Sequence, residues 1–136
     1  MKSWKIGAVS GLIAGAIAGI IPFLIYQIYS AVGILEPKIY SVMFLVRQAI
    51  IHIGINALWG VIFGIIFAFI FDKLPGKGIS KGLWIGLIYF IFSIVRPTLF
   101  PIAYGLVIWG FAFILGVSLE KIVYGILYVT LYKERA

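Results

Sequence analysis

The chain contains no cysteine and few residues of the types from which catalytic and metal sites are built. It has one histidine and four acidic residues in 136 positions, and only 11% of its residues are charged. Without cysteine there is no disulfide framework and no thiolate ligand. One histidine cannot by itself form a protein-only zinc site or a bis-histidine haem site. We therefore expect no metal, no cofactor and no enzymatic activity.

Apolar residues dominate the sequence instead. They make up 64% of the chain, and the mean hydropathy is +1.20. A helix that crosses a bilayer needs about 20 mainly apolar residues, and four such segments nearly fill the sequence. We predict an all-α, polytopic membrane protein with one transmembrane domain, 1–136, folded as a four-helix bundle. The predicted spans are 6–29, 48–71, 79–95 and 102–121, with a short outer segment at 37–46 and an inner tail at 122–136.

Basic residues are distributed unevenly between the two ends of these spans. One end carries Lys2, Lys5, Lys73, Lys77, Lys81, Lys133 and Arg135, and the other carries only Lys38, Arg47 and Arg96. Because cytoplasmic loops carry the positive excess, we expect a multi-pass protein of the cell membrane with both termini in the cytoplasm. The net charge of +7 then reflects topology and not nucleic-acid binding. Eight aromatic residues fall near predicted span ends, as residues of an aromatic belt do: Trp4, Trp84, Tyr26, Tyr29, Tyr40, Tyr104, Tyr128 and Tyr132.

Glycines recur at intervals of four in three of the spans, and each row forms an inclined groove on its helix. Small residues of this kind allow close backbone approach between helices in lipid. The sequence therefore predicts glycine-zipper packing, mostly within the chain, with one row left for another copy or another membrane subunit. The predicted packing residues are Gly7, Gly11, Gly15, Gly19, Gly60, Gly64, Gly78, Gly82 and Gly86.

Two pairs of segments resemble each other. SGLIAG, from Ser10, is similar to KGLWIG, from Lys81, and LWGVIFGIIF, from Leu58, is similar to VYGILYVTLY, from Val123. These matches predict a tandem two-helix repeat, related by an axis along the membrane normal. Chance similarity among glycine, isoleucine and leucine is the alternative.

Polar residues form a row at the start of the second span. Gln48, His52 and Asn56 share an arc of about 80° on a helix. We call the set expected at this level the polar outer cluster: Arg47, Gln48, His52, Asn56, Ser93 and Arg96. One interpretation is interhelical hydrogen bonding, typically worth ~0.6 kcal/mol per bond. The other is an outward-facing pocket in which the arginines supply positive charge.

Glu120 and Lys121 interrupt the last apolar run. If the fourth span begins at Ile102, Glu120 lies about 27 Å along it, at the inner boundary. If the span is shifted inward, Glu120 lies inside the membrane and is a functional candidate by default. The first geometry is favoured because Pro101 is a natural helix start.

Two functions are compatible with these patterns. The first is a non-enzymatic homo-oligomer or a subunit of a larger membrane complex. The second is a channel or facilitator for a small solute, reached from outside at Gln48, His52 and Asn56. A channel needs a polar path through the inner half, where the sequence offers only glycines, Ser10 and Glu120. A proton-coupled carrier is disfavoured because no carboxylate is clearly placed at the midplane.

Overall fold

The structure is a computed structural model that describes residues 3–32, 42–95 and 107–135. All regular structure in these ranges is helical. The elements are α1 (Trp4–Ala18), α2 (Ile21–Ala31), α3 (Val42–Ile70), a 3₁₀ turn (Phe71–Lys73), α4 (Ile79–Val95) and α5 (Val107–Arg135).

Three stretches of helix are long and apolar enough to cross a membrane, and they indicate a membrane protein. They are Trp4–Ile25, Val42–Lys73 and Leu115–Lys133. A shorter apolar helix, Ile79–Ser93, corresponds to the third predicted span. Of the predicted outer segment, residues 42–46 belong to α3 and the rest lies outside the described residues.

The first predicted span is broken into α1 and α2 at Gly19 and Ile20. Pro22 explains the break, because proline has no N–H to donate to the carbonyl of Ala18, four residues earlier, and its ring clashes with that carbonyl. α1 accordingly ends at Ala18, and α2 resumes one turn later. The predicted span 6–29 overlaps one stretch of membrane-spanning length, Trp4–Ile25, whose helix is interrupted at Gly19 and Ile20.

The described parts of the last predicted span and of the predicted tail, residues 107–135, form one helix, α5, without an end near residue 121. The tail residues Tyr124, Tyr128 and Tyr132 are buried, with at most 1% of their surface exposed. The expectation that the last two lie in an aromatic belt is wrong, because their rings face the interior. Trp4 and Trp84, by contrast, are about half exposed.

The helices associate as two pairs. α1 packs mainly on α3 and α4 packs mainly on α5, while α1 and α2 also lie against α5. The core between the pairs is aromatic: the rings of Phe63 and Tyr89 stack with centroids 4.1 Å apart, and those of Phe71 and Tyr132 lie 4.7 Å apart.

The turn between α3 and α4 contains two glycines with positive φ, Gly76 at 86° and Gly78 at 55°. Gly78 has open space where a Cβ would lie, so it serves the turn and makes no packing contact in the chain, unlike the sequence-based expectation. Lys81 closes this end of the bundle. Its ammonium donates to the carbonyl of Phe71 at 2.9 Å and lies 4.5 Å from the ring centroid of that residue.

Candidate functional site

The polar outer cluster is not brought together by contacts in the described residues. His52 is exposed and its ring lies 6.2 Å from that of Phe23, Gln48 is half-buried, and Arg47 is exposed. Among the described residues, side chains of the cluster make two hydrogen bonds, and each bond stays within its own helix. The Asn56 amide donates to the His52 carbonyl at 2.8 Å, and the Ser93 hydroxyl donates to the Tyr89 carbonyl at 2.8 Å. Arg96 lies outside the described residues.

The glycines of α1 meet the backbone of α3. A Cβ added at Gly7 would lie 2.5 Å from the Gly64 carbonyl oxygen, and one added at Gly11 would collide with the Gly60 carbonyl. Gly15 approaches the Asn56 carbonyl in the same way, and a Cβ at Gly19 would lie 2.5 Å from the Asn56 Cβ. The two backbones thus touch at three successive turns of α1, at Gly7, Gly11 and Gly15.

The second helix pair repeats this contact at equivalent positions. Gly82 lies against Gly125, as Gly11 lies against Gly60. A Cβ at Gly86 would lie 2.6 Å from the Lys121 carbonyl oxygen, as Gly15 lies against that of Asn56. The equivalence follows the sequence matches between the two halves, so Lys121 occupies in α5 the position that Asn56 occupies in α3.

Tyr124, Tyr128 and Tyr132, which we call the tyrosine row, lie at four-residue intervals on α5 and therefore share one face. The Tyr124 hydroxyl donates to the Gly60 carbonyl at 3.0 Å, and the Tyr128 hydroxyl donates to the Gly64 carbonyl at 2.7 Å. Consecutive rings are stacked, with centroids 5.9 and 5.5 Å apart. The row joins the two helix pairs through the glycine carbonyls of α3.

Glu120 and Lys121, the buried pair, continue this face toward the centre of α5. The Lys121 ammonium lies 2.7 Å from Glu120 Oε1, and each residue is only 4% exposed. The same ammonium lies 3.9 Å from the ring centroid of Tyr89, in cation–π contact. Taking two charges out of water costs several kcal/mol per ion, which their mutual attraction offsets only in good geometry.

The buried pair lies midway along the bundle. It is close to the middle of α5, and it contacts Gly86 close to the middle of α4. The bonds from Tyr124 to Gly60 and from Tyr128 to Gly64 show that α3 and α5 run parallel with a constant offset. The same offset places Glu120 level with Asn56, in the middle of α3. Both residues also lie within Leu115–Lys133, a stretch that is long and apolar enough to cross a membrane.

Sequence reasoning missed the tyrosine row and Gly125 as parts of this arrangement. The four-residue spacing of the tyrosines was the available signal, because it places all three on one face next to Glu120. Comparisons with protein-family models, with curated proteins and with solved structures find no match to this chain.

Proposed function

We propose that the chain is a non-enzymatic integral membrane protein that moves a small solute across the bilayer, with the buried pair as the site that the solute meets inside the bundle. One observation carries the proposal: Glu120 and Lys121 form an ion pair that is 4% exposed, midway along a helix. Ionisable residues inside membrane segments are costly and mark ion pathways, proton relays and substrate sites.

Comparison of the two helix pairs shows whether packing alone requires an ion pair at this position. At the positions of α3 that are equivalent to Glu120 and Lys121 in α5, the chain carries Ile55 and Asn56, and the same close glycine contact is made. Helix packing at this crossing therefore does not require charge. A role other than packing accounts for the ion pair better.

The proposal includes a topology. Four membrane helices, with both termini in the cytoplasm, agree with the concentration of Lys73, Lys77, Lys81 and Lys133 at one end of the bundle. We call this the Lys73 end and the opposite one the Gln48 end. In this arrangement the solute passes from the Gln48 end, near His52 and Asn56, to the buried pair.

Transport by the purified protein in lipid vesicles tests the proposal. The solute panel is protons, sodium, potassium, chloride, urea and glycerol. We expect flux of one of them above protein-free vesicles, and loss of that flux in Glu120→Ile/Lys121→Asn, which gives α5 the α3-like residues.

The control is Lys77→Gln, which removes an exposed charge in the turn between α3 and α4. It should transport like the unmodified chain. The proposal fails if the folded protein moves none of these solutes, or if the Glu120/Lys121 variant moves them unchanged.

A second candidate is a membrane subunit that associates with another copy or with other membrane proteins. The observation that favours it is the outer face of α3, since only 22% of the most apolar stretch of that helix is buried in the chain. Gly54 belongs to this face and has open space around its Cα. The glycine rows of α1 and α4 are occupied within the chain, so a partner would bind to α3.

A further inference from the structure

We propose that the solute is the proton and that the Glu120 carboxylate carries it through the centre of the bundle. This inference rests on the transport function proposed above and names its substrate. It starts from the close packing around the buried pair, from the row of hydroxyl groups beside it, and from a buried hydroxyl on α1.

Close packing between the pair and the Lys73 end selects a very small solute. The tyrosine row is at most 1% exposed, and its rings are stacked on one another. Phe67 and Ile85 are fully buried beside it. A solute with a carbon skeleton would have to separate helices that touch through their glycine backbones. A proton needs only hydroxyl groups and single water molecules.

The proposed proton route follows the hydroxyl groups of the tyrosine row along one face of α5. Glu120 and the tyrosine row follow one another at four-residue intervals, so they cover about 18 Å of α5 on one face. Neighbouring positions are about 6 Å apart along the helix axis, a gap that one bridging water spans. Each tyrosine hydroxyl that donates to a glycine carbonyl keeps its lone pairs as acceptors. It can therefore hold a bridging water in place, and the water is the molecule that passes the proton.

Ser10 supplies an independent observation on α1. It is fully buried, and its hydroxyl has no hydrogen-bond partner within the described ranges. Gly7 lies near the Tyr128 hydroxyl and Gly116 near Pro22, so α1 runs antiparallel to α5 and Ser10 lies at about the level of Tyr124. A buried hydroxyl without a protein partner is a place where an internal water binds.

The polar and charged groups around Glu120 determine which charges its carboxyl group meets when it binds a proton. Lys121 and Tyr124 belong to its own helix, and α4 presents Tyr89 to the Lys121 ammonium. At this level α3 presents Asn56, with His52 one turn nearer the Gln48 end. The α1 neighbour is Ser10, at the adjoining turn, and α2 meets α5 at Pro22. No second described carboxylate shares the level of Glu120.

Proton passage then needs one reversible step. The Glu120 carboxylate accepts a proton from a hydronium ion on one side. One O–H bond of the hydronium breaks and leaves a water molecule, an O–H bond forms on the carboxylate, and the ion pair with Lys121 breaks. The pair changes from neutral to a charge of +1, and the ammonium stays over the Tyr89 ring. Release of the proton to the other side restores the ion pair. One proton enters and one leaves, and no other reactant is consumed.

Proteoliposomes loaded with a trapped pH indicator test this step under a potassium gradient clamped with valinomycin. The unmodified chain should acidify or alkalinise the lumen with the sign of the voltage. Glu120→Ile/Lys121→Asn should fall to the rate of protein-free vesicles, and Lys77→Gln should keep the full rate. Tyr128→Phe, which keeps the ring, should slow the flux even if the double variant fails to insert.

Each of the remaining outcomes contradicts either the proton inference or the transport function. If protons do not move but another panel solute does, in a manner that depends on the buried pair, the proton inference falls and the transport function stands. If no solute moves, both fall. If proton flux is the same in the unmodified chain and in the folded Tyr128→Phe variant, the tyrosine row is not the route and the inference fails.

Discussion

The hydroxyl groups of Tyr124 and Tyr128 hold α5 to α3 through bonds to Gly60 and Gly64. These two glycine carbonyls are exposed to the hydroxyls because no side chain covers them. A buried hydrogen bond contributes about 1 kcal/mol to stability, and membrane-protein measurements average somewhat less. The two hydrogen bonds therefore stabilise the contact between the two helix pairs, in addition to the packing of the rings.

Tyr128→Phe should lower the free energy of unfolding by about 1 kcal/mol, because it deletes one buried bond and keeps the ring. Unfolding in mixed detergent, followed by circular dichroism, measures the change. Thr130→Val is the control, since the exposed Thr130 hydroxyl bonds only the Ile126 carbonyl of its own helix. Equal stability of the two variants would contradict a fastening role for Tyr128.

At the scale of the helix, close contact between α1 and α3 depends on the absence of side chains at Gly11 and Gly15. Gly11→Leu should separate the two helices and either prevent folding or lower the melting temperature strongly, because the new side chain would collide with the Gly60 backbone. Thermal unfolding in detergent micelles measures this effect. Unchanged melting of Gly11→Leu would exclude the contact.

Gly54→Leu is the matched control for that experiment, because a Cβ at Gly54 meets nothing within 4 Å. It should leave the fold intact and gain helix propensity, for which glycine is typically ~1 kcal/mol worse than other residues. Its oligomeric size, from light scattering, also tests the outer face of α3. A size that falls only in Gly54→Leu would favour the subunit function.

Periodicity and composition predicted the apolar helices well, because a helix that crosses lipid must be apolar along about 20 residues. They could not predict which face of a helix is buried, since lipid tails are as apolar as leucine. Tyrosine is the sharpest example: it suits both a membrane interface and a core with an acceptor, so Tyr128 and Tyr132 were placed at a boundary. The break at Pro22 was predictable from the lost bond to Ala18.

The candidate site was less predictable than the helices. Asn56 and Glu120 are 64 positions apart in sequence, and only the register between α3 and α5 shows that they share a level. The depth of Glu120 depended on where the last helix begins and ends, and a continuous α5 moved that residue from an edge to the middle. Two short sequence matches predicted the repeat, and the glycine contacts at equivalent positions of the two helix pairs agree with it.

For the molecule as a whole, the Lys73 end should face the cytoplasm. The chain has no cysteine, so single-cysteine variants report position without background. Cysteines at Lys77 and Lys133 should resist a membrane-impermeant maleimide in intact cells, and one at Lys38 should react, because positive residues concentrate in cytoplasmic loops. Labelling of positions 77 and 133 from outside, with protection at 38, would reverse the orientation.

The contact between α1 and α3 is complete once the ribosome has made the chain as far as Ile70, before either α4 or α5 exists. Helices that are already inserted can associate in the bilayer as a second stage, so the first pair can close during synthesis. The carbonyls of Gly60 and Gly64 then lie on the surface of the first helix pair until α5 brings the hydroxyls of Tyr124 and Tyr128 to them. The last helix to emerge thus adds the buried pair and the tyrosine hydroxyls to a first helix pair that is already closed. A ribosome stalled between α4 and α5 would leave that first pair closed and the buried pair missing.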